Sequence, residues 1–182
     1  MRRHAGIPTA VLLAGLLAAA ASCNTDGCLD NQSSIPLAGF YSSETSASIS
    51  LNILQVHGVG APGDSVLLRP GTAVSSVYLP MRSTHSSVQW CFHYEQGDLA
   101  DPAYNDTITF DYTSRPYFAS EECGAMYEYT IDRTTVTNHL IDSVVVTEPV
   151  ITNTDVERIR IYFRTDNSGG DDNTDNDNTD RR

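Results

Sequence analysis

The chain has 182 residues, 23 of them acidic and 11 basic, for a formal net charge of -12; all 11 basic residues are arginine and no lysine occurs. This composition excludes a Schiff-base lysine, a lysine general base and a P-loop lysine. It also lacks the basic stripe that phosphate-backbone binding needs, so no nucleic-acid partner is expected, and the length fits a single domain.

The N-terminus reads as a targeting segment. Arg2 and Arg3 supply a positive flank, and Ala10 to Ala21 is an unbroken run of Ala, Val, Leu and Gly. Such a run is shorter than the roughly 20 residues of a membrane span and fits a cleaved signal peptide over 1–22. The run ends in Ala20-Ala21-Ser22-Cys23. These small residues before a thiol resemble the lipobox of bacterial lipoproteins, which makes Cys23 the expected lipidation site. The competing reading is an ordinary secretory signal followed by a coincidental cysteine. Two or three acyl chains on one cysteine hold a protein stably on a membrane, where a single chain does not.

Residues 23–34 are polar and turn-rich and read as a tether. From 35 to 165 short β-branched and aromatic runs recur between Gly, Pro, Asn, Asp and Ser. Predicted strands are Leu37–Ser43, Ser48–Val56, Ser65–Arg69, Val74–Leu79, Ser87–Glu95, Thr107–Thr113, Met126–Arg133, Asp142–Thr147 and Val156–Arg164. Period-2 alternation assigns Val88, Trp90, Phe92 and Tyr94 to the core, together with Ile108, Phe110, Tyr112, Ile159, Ile161 and Phe163. No window carries a helical period. About eight or nine short strands without helices predict an all-β fold, an antiparallel β-sandwich in preference to a small barrel. Residues 166–182 contain no apolar side chain and read as a disordered Asp/Asn-rich tail. The spacing of Asp171, Asn173, Asp175 and Asp177 suggests a calcium loop, but the turn glycine and terminal glutamate of that motif are missing.

Several motifs suggest chemistry and fail on context. Gly58-Val59-Gly60-Ala61-Pro62-Gly63 matches a dinucleotide fingerprint, yet the next segment reads as strand, so a hairpin loop is expected. Gly63-Asp64-Ser65 resembles the nucleophile block of a lipase family. The Asp-x-x-His that would activate the serine is absent, since Val136-Thr137-Asn138 precedes His139. Cys91, His93 and Glu95 share one face of a strand, but about 13 Å of strand is too long a span for one zinc ion. No catalytic residue, metal or cofactor is expected.

With Cys23 lipidated, three cysteines remain; one bridge and one free thiol are expected, with three pairings open, and the alternative is that all three are reduced. Cys28 with Cys123 is the favoured disulfide, because both lie in turn-rich contexts while Cys91 is mid-strand. In the chain-entropy model so long a loop stabilises by about 4 kcal/mol. Ser65, Thr107 and Ser143 each follow an Asp and precede an aliphatic residue. This arrangement looks like an O-glycosylation signal of exported Bacteroidetes proteins, and ordinary turn chemistry accounts for it equally well.

The Cys23 lipobox, the Cys28 tether, Ser34-Ile35-Pro36-Leu37-Ala38-Gly39-Phe40-Tyr41, Gly60 to Ser65 and the Glu122-Cys123-Gly124 turn together resemble a family of uncharacterised Bacteroidetes lipoproteins, from about Cys23 to Phe163. The resemblance implies an all-β envelope lipoprotein with no established activity or catalytic residues. The expected role is therefore a non-enzymatic accessory or binding module, with glycan binding or glycan hydrolysis as the alternative. Its expected partners are the membrane, through the lipid, and another envelope protein. With Asp26 as the only acid in the first four residues after Cys23, the outer membrane's periplasmic face is the expected location.

Overall fold

The computed structural model describes residues 33–61, 65–121 and 123–165. The expected signal peptide, Cys23, Cys28 and the acidic tail lie outside these residues. The strands are β1 (Leu37–Ser42), β2 (Leu54–Gly58), β3 (Val66–Leu68), β4 (Ser76–Tyr78), β5 (Ser87–Tyr94), β6 (Asp106–Ser120), β7 (Gly124–Val136), β8 (Ile141–Val146), β9 (Val150–Ile151) and β10 (Glu157–Phe163). They form a four-stranded sheet ordered β4-β1-β10-β8 and a six-stranded sheet ordered β3-β2-β5-β6-β7-β9. The fold is all-β with two facing sheets, one of them curled as a half-barrel. Edge strand β3 meets edge strand β4, and β7 approaches edge strand β8.

Alternation builds the core as the sequence pattern implies. Trp90, Phe92 and Tyr94 of β5, Ile108, Phe110 and Tyr112 of β6, and Ile159, Ile161 and Phe163 of β10 are all buried. Phe163 joins the two sheets: its ring lies 5.4 Å from Phe40 of β1, edge to face, and 6.5 Å from Phe92 of β5. Each such side chain stabilises by about 1.5–3 kcal/mol when fully buried.

Three features correct the sequence reading. First, β1 and β10 are parallel, with Phe40 opposite Ile161 and Ser42 opposite Phe163, so the sandwich is not wholly antiparallel. A parallel pair needs a crossover, and here that crossover is everything from β2 to β9. Second, the strand expected from Ser48 starts at Leu54; before it stand only two isolated bridges, Tyr41 to Ser48 and Leu51 to Val74. Third, two short 3₁₀ turns, Gly97–Ala100 and Pro102–Tyr104, connect β5 to β6.

Gly39 has a specific reason to be glycine. A Cβ there would stand 2.1 Å from a carboxylate oxygen of Glu157 and 2.9 Å from the Tyr41 ring. The space is taken because the Tyr41 hydroxyl donates to Glu157 at 2.8 Å, with the Arg160 guanidinium over the Tyr41 ring. That hydrogen bond raises the Tyr41 pKa above its ordinary value.

Candidate functional site

Strands β6 and β7 outrun the rest of their sheet. β5 pairs with β6 only from Asp106 to Asp111, and β9 meets β7 only at Tyr129 and Thr130. Beyond those rungs residues 115–120 and 124–128 pair, among the described residues, with each other alone, forming a two-stranded arm. The turn at its tip closes through Gly124, whose φ of +73° suits glycine and strains other residues.

Cross-strand partners share a face, and the two faces of the arm differ. On one face Tyr117 stands opposite Met126, and its hydroxyl donates to Asn153 Oδ1 at 2.7 Å while accepting from the Asn153 backbone N–H at 3.2 Å. Ser34, fully buried where the described chain enters the fold, donates from Oγ to Met126 Sδ at 3.6 Å. Arg115 and Glu128 form an ion pair on this side, the carboxylate side chain 8% exposed. The other face pairs Pro116 with Tyr127 and Phe118 with Ala125, and all four are exposed, Phe118 to 67% and Tyr127 to 44%. A two-stranded ribbon alone is marginally stable; the contacts to Asn153 and Ser34 brace this one.

Asp106 stands at the other end of β6. It is fully buried, and its carboxylate accepts five hydrogen bonds. The donors are the Tyr94 and Thr137 hydroxyls and the backbone N–H groups of His139, Leu140 and Ile141, at 2.7–3.0 Å. Burial, followed by the charge of Asp106, raises the pKa of Tyr94 far above its ordinary value. Five donors on one carboxylate fix the bend from β7 into β8 and leave Asp106 no capacity for other work.

A cavity of about 280 Å³ lies between the β2–β3 loop and the start of β5, lined among others by Gly58, Gly60, Arg82, His85, Gln89 and Trp90. β2 and β3 pair antiparallel, so the glycine-rich segment opens a connection between two strands, with Gly58 closing β2, and does not lead into a helix. The backbone of Arg82 is fixed by Tyr112, whose hydroxyl accepts from its N–H at 3.0 Å and donates to its carbonyl at 2.9 Å. Trp90 is 5% exposed, and its buried indole N–H has no partner among the described residues.

The residues singled out from sequence are dispersed. Ser65 is exposed before β3, Thr107 is half-buried on β6, and Ser143 is half-buried on β8 in the other sheet. Cys91 is the free thiol among the described residues, and burial, with a smaller contribution from Asp106, raises its pKa. Cys123 lies in the arm's tip, where its N–H donates to Ser120 Oγ at 3.0 Å and its sulfur accepts from Asn153 at 3.6 Å. His93 accompanies Glu95 at 3.9 Å and Asn105 at 2.9 Å. Among the described residues no group of three or more His, Cys, Asp or Glu is placed to hold a metal ion. Sequence reasoning missed both the arm and Asp106. The arm's signal was the pair of runs Tyr117-Phe118 and Met126-Tyr127 flanking Gly124.

Residues 53–163 match the profile of a protein family of unknown function, DUF6452. The match ends at Phe163, where the resemblance drawn from sequence ends, and does not include the expected lipobox at residues 20–23. No curated protein and no solved structure matches the chain.

Proposed function

We propose that this chain, which belongs to DUF6452, a family of unknown function, is a lipid-anchored envelope lipoprotein of the Bacteroidetes type whose domain serves as a non-enzymatic accessory or binding module. The carrying observation is the exposed apolar face of the arm, Pro116, Phe118, Ala125 and Tyr127, on a ribbon that projects from an otherwise complete sandwich. Contiguous exposed apolar patches mark protein or membrane interaction sites. The basic flank, apolar run and Cys23 support the anchor. The most notable buried carboxylate, Asp106, is committed to backbone and hydroxyl donors, which supports a structural role over a catalytic one. Cys28 is proposed to pair with Cys123, and the periplasmic face of the outer membrane is the proposed location.

Cross-linking from intact cells tests the module reading: a reproducible envelope protein adduct through the domain supports it, and repeated absence of any adduct argues against it. Protease shaving of whole cells tests the location, since loss of the protein would move it to the cell surface. A second reading, glycan binding or hydrolysis, draws on the Arg82, His85 and Gln89 rim beside Trp90. Of Trp90, Tyr94, Tyr127 and Tyr129, the aromatics able to serve it, all but Tyr127 are buried, which counts against it because a sugar platform needs exposed rings. A glycan array and hydrolase panel that both come back blank would remove it.

A further inference from the structure

We infer that the apolar face of the β6–β7 arm lies in the headgroup region of the bilayer to which the chain is anchored, with Phe118 and Tyr127 as the inserted side chains. The inference rests on the proposed lipidation of Cys23. Its geometric basis is the entry point of the chain. Ser34 is buried and hydrogen-bonded to Met126 of the arm itself, so the described chain enters the fold against the arm, and the leash from the lipidated cysteine ends there. From Cys23 to Ser34 is 11 residues, a reach of at most about 40 Å when fully extended. The arm's paired segment, about 20 Å long at 3.3 Å per residue, therefore starts within leash length of the lipid.

The chemistry of the arm suits that place. Phe118 and Tyr127 are, by fraction exposed, large apolar side chains left in water. A ring with a polar tip, such as Tyr127, is favoured at the membrane–water interface. Met126 and Tyr117 on the opposite face are held by Ser34 and Asn153, so the ribbon presents its apolar face as a braced element. The acidic Glu121 at the tip and a chain charge of -12 select against an anionic surface and for ethanolamine or choline headgroups. A protein partner on the same face is the competing occupant, and it has no tether directing it there.

The test places a reporter on the arm of the mature, lipidated full chain. Phe118→Trp, and separately Tyr127→Trp, are reconstituted in phosphatidylethanolamine–phosphatidylcholine vesicles, with Val145→Trp on the exposed side of β8 as the reference. Signal from Trp90 is subtracted using the unsubstituted chain. The inference expects the arm tryptophans to emit to the blue of the Val145→Trp reporter and to lose at least about half their intensity to lipids spin-labelled near the headgroup, while the reference is unquenched. Arm reporters that behave like the reference overturn it. A blue shift that appears only in native envelopes and is insensitive to the labelled lipids also overturns it, in favour of a protein partner. Mass spectrometry of the same preparation separates the premises: an unacylated N-terminus sinks the lipoprotein reading, whereas an acylated chain with solvent-like arm reporters sinks the arm inference alone.

Discussion

The hydroxyl of Tyr94 donates to the carboxylate of Asp106 at 3.0 Å in a fully buried setting. This bond is one of five on the carboxylate, and it ties β5 to the start of β6 directly beneath the bend that launches β8. Removing the acceptor leaves three backbone N–H groups and two hydroxyls without a partner.

Asp106→Asn presents an amide NH₂ to donors that need an acceptor. Breaking a buried charged network in this way should cost about 3–5 kcal/mol. Tyr94→Phe, which removes one donor and leaves four, should cost about 1 kcal/mol. Equilibrium urea unfolding of both variants gives the comparison, and equal losses would contradict this account of the carboxylate.

Glu44 predicts a pH dependence. Hydrogen bonds from the Thr165 hydroxyl, then from Ser42 and nearby backbone, hold its pKa down at about 2 from the ordinary 4.5. A carboxyl depressed in the folded state stabilises above its unfolded pKa, and that contribution is lost as the folded pKa is approached. Stability should therefore fall between about pH 4.5 and pH 2, and Glu44→Gln should flatten the profile in that window. Melting temperature across acid buffers reads both.

Arg115 is mostly exposed, whereas its partner Glu128 is not. Arg115→Ala should therefore cost about 1–2 kcal/mol by leaving a covered carboxylate unpaired, and amide exchange should accelerate on the arm ahead of the sandwich.

The thiols should separate by reactivity. A pKa raised by burial leaves Cys91 less thiolate, so alkylation of the native protein at pH 8 should be slow and should speed up on unfolding. If Cys28 and Cys123 are paired, neither takes up reagent until a reductant is added. Peptide mapping that finds Cys91 in a disulfide would contradict the assignment.

Among the three Asp-hydroxyl-aliphatic triplets, the Asp of the Thr107 triplet is fully buried and committed to β8, while Ser65 is exposed. An enzyme reading the folded domain should glycosylate Ser65 ahead of Thr107, which glycopeptide mapping of the native protein measures.

Period-2 alternation made β5, the first half of β6 and β10 legible, because each has one face in the core and one in water. The outer half of β6 was hidden by Pro116, which argues against a strand unless the strand lies at an edge; the arm, paired on one side only, is such a place. β9 has two residues and no readable period. The role of Asp106 was illegible because its donors on the β7–β8 bend arrive from 31 to 35 positions away, and its local context, Asp-Thr-Ile, reads equally well as a turn entering a strand. The parallel β1–β10 pair has no local signature at all.

That pair ties completion of the sandwich to the order in which the chain emerges. β1 is made first and β10 last, yet they are neighbours in the middle of one sheet. Until residue 163 is available, β1 has β4 on one side and an open row of backbone donors and acceptors on the other, and β8 has no neighbour in its sheet. A nascent chain must carry these unsatisfied edges until β10 is made. The domain is consequently a late, high-contact-order folder, whose early fragments are suited to chaperone capture and poorly suited to independent stability.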